Sequence, residues 1–316
     1  MKGNSHLLPD FVVIGAGKSG TTSLDNYLSQ HPDIFMSRIK EPDFFAYETV
    51  DPSTLSGRDL DHYHRSVTTI DEYRKLFTDA SAGQLKGETS NTCLSAPNAA
   101  ERMKHYIPDA KLIAILRQPT NRLFSRYMHL ERVNRLPSEN FKDVLDRDSI
   151  WWKRKDLIPE GYYAQNLRRF YDLFPHDNIK VLLSEDLRDD PASAMKEIFS
   201  FLGVDPSAEI DYSVEHNRSG IIKNRFYDRT IGSNSVIKKL MKRLLPEEFY
   251  FRITRSPRLK KITQGINNAN LKQATLDREL YNRITEEIYG DEIRDLEKLI
   301  GRDLSAWLEA QPAETN

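Results

Sequence analysis

Three glycines, one lysine and four hydroxyl-bearing residues crowd into ten positions near the start of the chain, Gly15-Ala16-Gly17-Lys18-Ser19-Gly20-Thr21-Thr22-Ser23-Leu24. Glycines let a backbone wrap closely around an oxyanion. The first N–H groups of a helix have no intrahelical partner, and the helix dipole places partial positive charge at that end. Lys18 adds a full charge, and Ser19, Thr21, Thr22 and Ser23 add hydroxyl donors. The chemistry predicted for this stretch is the binding of a phosphate-like anion. Gly15 and Gly20 keep the separation found in Gly-x-x-x-x-Gly-Lys-Ser/Thr, but Thr21 stands where that motif needs its lysine. The lysine lies inside the loop instead. An arrangement that sets a lysine on the β and γ phosphates and the next hydroxyl on magnesium is missing, which counts against a kinase or GTPase.

The elements around the loop give it a setting. Phe11-Val12-Val13-Ile14 is aromatic and β-branched, ends at Gly15 and reads as a buried strand running into a turn. Leu24, Tyr27 and Leu28 have helical spacing over 22–30. Lys111 to Arg117 holds a second apolar run and Ile179 to Leu183 a third. Pro119 suits a first helical turn, with Leu123, Tyr127 and Leu130 as the apolar stripe behind it. Pro191 to Leu202 reads as an amphipathic helix, and residues 276–308 as a C-terminal helical segment. Near-continuous apolar strands alternating with helices predict an α/β fold of three layers, P-loop-like, with a central, mostly parallel sheet flanked by helices. Ligands in such sheets bind beyond the carboxyl ends of the strands, where both Gly15–Thr22 and Arg117–Ser125 lie. Residues 49–70 and 136–159 have weaker patterns and read as loops over the sheet edge, the kind that carries specificity. Trp151 and Trp152 within them are either an acceptor platform or a hydrophobic anchor.

Bulk properties narrow the classes. The 316 residues, 39% hydrophobic and 29% charged, suit one large domain spanning 1–316. A formal net charge of -1 excludes a general nucleic-acid binder. One cysteine, Cys93, excludes an internal disulfide framework and a cysteine zinc cluster. His62 and His64 alternate on a polar stretch without a third ligand in pattern, so no metal is expected. No basic-then-apolar leader is visible, and no run approaches the roughly 18 apolar residues of a membrane span, so the expected location is the cytoplasm. Residues 218–261 carry 13 Lys and Arg against 3 Asp and Glu. Such a stretch is a solvated basic face or a surface for an anionic ligand or a peripheral membrane contact.

The displaced lysine, the Gly20-Thr21-Thr22 and the preceding strand resemble the 5′-phosphosulfate loop of sulfotransferases that use 3′-phosphoadenosine-5′-phosphosulfate (PAPS). His31-Pro32-Asp33-Ile34-Phe35-Met36 and Lys40-Glu41-Pro42-Asp43-Phe44-Phe45 are similar to the corresponding stretch of bacterial sulfotransferases and the heparan sulfate sulfotransferase group. Leu112 to Pro119 with Arg122-Leu123-Phe124-Ser125-Arg126-Tyr127 resembles the family's 3′-phosphate segment. Gly161-Tyr162-Tyr163, Glu185-Asp186-Leu187, Phe201-Leu202-Gly203 and Leu296 to Trp307 fit its later framework. The resemblance implies sulfuryl transfer from PAPS to a hydroxyl or amine of an unidentified glycan, lipid or metabolite, releasing 3′-phosphoadenosine 5′-phosphate (PAP). It implies that Gly17, Lys18, Ser19, Gly20, Thr21, Thr22 and Ser23 hold the phosphosulfate. Arg117 and Ser125 would hold the 3′-phosphate, where a guanidinium clamp and a neutral donor suit the anion. Lys18 would meet charge developing on the leaving oxygen, and Glu41 would be the base. Taken alone, Glu41 is an ordinary surface carboxylate before a proline. Asp43 stands where heparan-type enzymes often have histidine, and Glu88 is the reserve base. Tyr163 is expected near the nucleotide. Asn217-Arg218-Ser219-Gly220 resembles the loop closing over it, which makes Arg218 a 3′-phosphate contact. A small-molecule kinase with a P-loop and a non-catalytic nucleotide-binding protein are the alternatives.

Overall fold

In the computed structural model, residues 7–55, 57–138, 140–213, 221–222, 271–272 and 275–309 are described. Five strands build the main sheet: β1 (Phe11–Gly15), β2 (Ile34–Met36), β3 (Leu85–Thr89), β4 (Lys111–Leu116) and β5 (Ile179–Leu183). Their order is β2-β3-β1-β4-β5 and every pairing is parallel. A two-residue antiparallel pair, β6 (Ile221–Ile222) with β7 (Leu271–Lys272), stands apart. The helices are α1 (Thr21–Leu28), α2 (Phe44–Tyr47), α3 (Gly57–Tyr63), α4 (Ile70–Lys75), α5 (Ala99–Tyr106), α6 (Pro119–Arg132), α7 (Ile150–Lys153), α8 (Tyr163–Tyr171), α9 (Ser184–Asp189), α10 (Pro191–Leu202), α11 (Arg278–Ile300) and α12 (Ser305–Leu308). None of the described helices is long and apolar enough to cross a membrane.

The period-two geometry of a strand sends alternate side chains to opposite faces. Val12 and Ile14 of β1, with Leu112, Ala114 and Leu116 of β4, join one core with Leu123, Leu167, Ile284 and Tyr289 from α6, α8 and α11. Phe11, Val13, Ile113 and Ile115 join the other, with Leu24 from α1 and Met195, Ile198 and Phe199 from α10. That is the three-layer arrangement expected from the sequence. β2 and β3 went unread as strands. Leu85-Lys86-Gly87-Glu88-Thr89 has no apolar period, because Gly87 gives up its side-chain space to the Phe11 ring and Glu88 is buried.

The C-terminal segment is two helices. α11 ends at Gly301, whose φ of 63° stops it, and Arg302 then clamps Asp186 at 2.6 and 2.5 Å. Residues 49–70 include helix α3, and residues 136–159 include α7. Trp151 is fully buried against Phe141 and Tyr127. Trp152 is tied by Nε1 to the Val144 carbonyl at 3.0 Å. Of the two roles open to the tryptophans, Trp151 has the hydrophobic anchor's.

Candidate active site

β1 delivers the chain to the carboxyl edge of the sheet at Gly15, and the loop turns back into α1. Two features leave the α1 N-terminus ready for an anion. Its cap is Gly20, at φ 107° and with no capping side chain, and the first turn carries no acidic residue. Lys18 is itself left-handed, at φ 72°. The loop is held from behind. Glu160 Oε1 accepts the Gly17 N–H at 2.7 Å, while its Oε2 accepts from Arg122 Nη1 at 3.0 Å. Arg122 also donates to the Leu157 carbonyl and has no exposed surface. Burial pushes the Glu160 carboxyl upward, and Arg122 opposes that. A Cβ on Gly17 would meet Glu160 Oε1 at 2.7 Å, so the loop and its buried carboxylate fit only through glycine.

The loop from β2 to α2 brings in a second wall. Glu41 and Asp43 flank Pro42, both at positive φ, 58° and 54°. Such strain persists only where contacts hold it, and the end of β3 supplies them. The Glu41 N–H donates to the Thr89 carbonyl at 2.9 Å, the Asp43 N–H to Ser90 Oγ at 3.0 Å, and Asn91 Nδ2 to Glu41 Oε1 at 2.6 Å. Lys40 Nζ reaches both Glu41 Oε1, at 3.2 Å, and Thr22 Oγ1, at 3.4 Å. Behind them Glu88 is fully buried. It accepts from Tyr73 Oη at 3.0 Å and Ser90 Oγ at 2.7 Å, and burial lifts its carboxyl to about 7. Burial also holds the Asp43 carboxyl well above its usual range, with Glu41 and Glu88 adding to it.

These walls enclose a cleft of about 1350 Å³. Gly17 through Ser23, Glu41, Arg117 and Ser125 all line it, so ten residues singled out from the sequence meet in one place. Arg126, Arg132 and Arg135 from α6 and just beyond it join them. Arg126 donates through Nε and Nη2 to one oxygen, Asp156 Oδ2, at 3.0 and 2.6 Å. Burial first, then the charges of Arg132, Arg126 and Arg117, push the Lys18 ammonium down to about 7, and Glu41 acts in the opposite direction. Cations this crowded are arranged to receive negative charge.

Tyr163 is buried and forms no part of the cleft wall. Its hydroxyl donates to the Arg117 carbonyl at 2.9 Å, and burial pushes it up to about 12. Glu88 is likewise absent from the wall. Arg218 and all of 218–261 but Ile221–Ile222 lie outside the described residues. Asn91, Arg126, Arg132 and Glu160 were missed. Arg126, His129 and Arg132 recur every three residues along α6, a helical stripe that was there to be read. Asn91 and Glu160 gave no local signal, since their partners lie 50 and 143 positions away.

A family model described as the sulfotransferase domain matches residues 8–242. The chain belongs to the PAPS-dependent sulfotransferases. The bifunctional heparan sulfate N-deacetylase/N-sulfotransferase 4 of Mus musculus is 31% identical over 210 residues, covering 63% of this chain and 23% of that protein. The corresponding enzyme of Drosophila melanogaster is 29% identical over 238 residues, 72% of this chain and 22% of its own length. The chain therefore spans less than a quarter of the curated relatives it matches. The crystal structure of a sulfotransferase from Alicyclobacillus acidocaldarius is similar over 95% of this chain and 99% of its own, at 28% identity and a TM-score of 0.64. Sulfotransferases of this family move a sulfuryl group to an acceptor.

Proposed function

We propose that Gly17 to Ser23 cradle the 5′-phosphosulfate, that Arg117 and Ser125 take the 3′-phosphate, and that Glu41 is the general base. The observation that carries this assignment is the meeting of Lys18, Glu41 and Arg117 in one cleft, with Lys18 held near neutrality by burial and by neighbouring guanidiniums. In the transfer, the acceptor oxygen or nitrogen bonds to sulfur and the bond from sulfur to the bridging phosphate oxygen breaks. Lys18 and the α1 N–H groups meet the charge left on that oxygen, and the acceptor's proton passes to Glu41. Tyr163 braces Arg117 from behind, and Arg218 is assigned to the 3′-phosphate from the sequence pattern alone.

The acceptor in this proposal is anionic. Nine Lys and Arg line the cleft against five Asp and Glu, and the curated relatives are named for heparan sulfate. The chain acts as one domain in the cytoplasm. A core running from Leu8 to Trp307 supports the single domain. Residues 218–261 contact anionic lipid, and co-sedimentation with liposomes at two salt concentrations tests that contact.

The deciding experiment is calorimetry of PAP and ATP, with and without magnesium. Metal-independent PAP binding, weakened in Lys18→Ala and Arg117→Ala, is expected. Preference for magnesium–ATP would overturn the assignment in favour of a P-loop kinase. Sulfation of de-N-sulfated heparin but not of a neutral dextran is the outcome expected for the acceptor.

A further inference from the structure

We propose that Asn91 is a positioning residue for the general base, its amide fixing the Glu41 carboxylate so that Oε1 is held and Oε2 is turned to the acceptor. The inference rests on Glu41 being that base. Asn91 follows β3 directly and opens a short 3-10 turn, Asn91–Cys93. Its side chain lines the cleft, and Nδ2 donates to Glu41 Oε1 at 2.6 Å, a charge-assisted bond. Lys40 Nζ lies 3.2 Å from the same oxygen. Oε1 thus takes two donors, while Oε2 takes none among the described residues.

Asn91 also lies beside the phosphate loop. Its carbonyl oxygen lies 3.0 Å from where a Cβ on Gly15 would sit, and its own Cβ lies 3.8 Å from where one on Gly17 would sit. One residue therefore sets the spacing between the base and the anion cradle, and a displacement of about 1 Å in such a pair is costly to the rate. Its Oδ1 is buried with no partner. A buried acceptor left unsatisfied is expensive, and the amide bears that cost in the orientation that aims Nδ2 at Glu41.

Lys18 of the loop and Lys40 beside it bring positive charge toward Glu41, and Asp25 of α1 and Asp43 two residues on bring negative charge, with Glu88 behind Asp43. Asn91 adds a donor without adding another charge.

The test uses the full chain saturated with PAP, with side-chain carboxyls ¹³C-labelled and Glu41 assigned by its loss in Glu41→Gln. The Glu41 carboxyl resonance is expected to move in Asn91→Ala, where Oε1 loses the donor that holds it, and further in Asn91→Asp, which sets a carboxylate where the amide was. With PAPS and de-N-sulfated heparin, kcat is expected to fall about 10- to 100-fold in Asn91→Ala. The KM for PAPS should stay within about 2-fold, since the nucleotide contacts are intact. Asn91→Gln restores part of the rate. An unmoved Glu41 resonance, or equal losses in kcat and PAP affinity, overturns the proposal. If Glu41→Gln itself keeps the full rate, the base assignment has failed, and the resonance still reports whether Asn91 holds the carboxylate.

Discussion

Two walls of the cleft are made of different material. The wall at Gly17–Ser23 is backbone: glycines, an uncapped helix start and one lysine, braced by the buried pair of Arg122 and Glu160. The wall at 46–65 is side chain. Tyr47, Val50, Leu55, Asp59, His62 and Arg65 project into the cleft from the four-residue α2, the seven-residue α3 and the links around them. A backbone anion site demands particular residue types at fixed spacing, so its sequence is constrained and readable. A wall of side chains on short supports accepts many sequences, and in the proposed function those side chains set which acceptor fits. The proposed nucleotide can be read from the sequence for the same reason that the acceptor cannot.

The contrast breaks most sharply at the chemistry. Glu41→Gln is expected to lower kcat about 10²- to 10⁴-fold with PAP affinity little changed, and unaltered turnover would remove Glu41 from the mechanism. Lys18→Ala should cost about 10²- to 10³-fold in kcat, whereas Arg65→Ala should leave kcat near wild type. Equal losses in the two would mean that the walls do not divide the work.

Gly17→Ala sharpens the backbone side. The new methyl meets Glu160 at 2.7 Å, and either the loop or the carboxylate must shift. PAP affinity is expected to fall about 10-fold, close to 1.4 kcal/mol, while acceptor affinity holds. A normal PAP titration would show that the loop adapts freely.

Proton linkage gives a smaller effect. Lys18 sits at about 7 in the free protein against an ordinary 10.5, so near pH 8 most molecules carry it neutral. Bound phosphate favours the ammonium, so its pKa rises on binding. PAP affinity is therefore greatest below about pH 7 and declines as pH rises from there toward 10.5. Calorimetry near pH 8 in buffers of different ionisation enthalpy should read uptake of up to about one proton, and none in Lys18→Ala. The smallest change belongs to the side-chain wall. Arg65→Ala is expected to raise the KM of an anionic acceptor a few-fold, less so in high salt, and a neutral acceptor should not notice the substitution.

Local pattern determined much of this protein. The β1 run ending at Gly15, the start of α1, β4 with Pro119 behind it, β5 and α10 follow from apolar period, proline and glycine chemistry acting within a few residues. The loop proposed to hold the anion could be singled out on the same terms, because its residues are contiguous. Only tertiary structure decided the rest. β3 is polar by composition and a strand by position, since the Phe11 ring fills the space that Gly87 leaves and Tyr73 bonds the buried Glu88. Tyr163 could be placed near the nucleotide from the sequence but not behind Arg117. Asn91 and Glu160 acquire meaning from partners 50 and 143 residues distant. A hydrogen bond across that separation leaves no period in the chain. Asn91 meets Glu41 because the parallel sheet carries β2 and β3 side by side, and Glu160 meets Gly17 because Arg122 of α6 holds it against the loop that leaves β1.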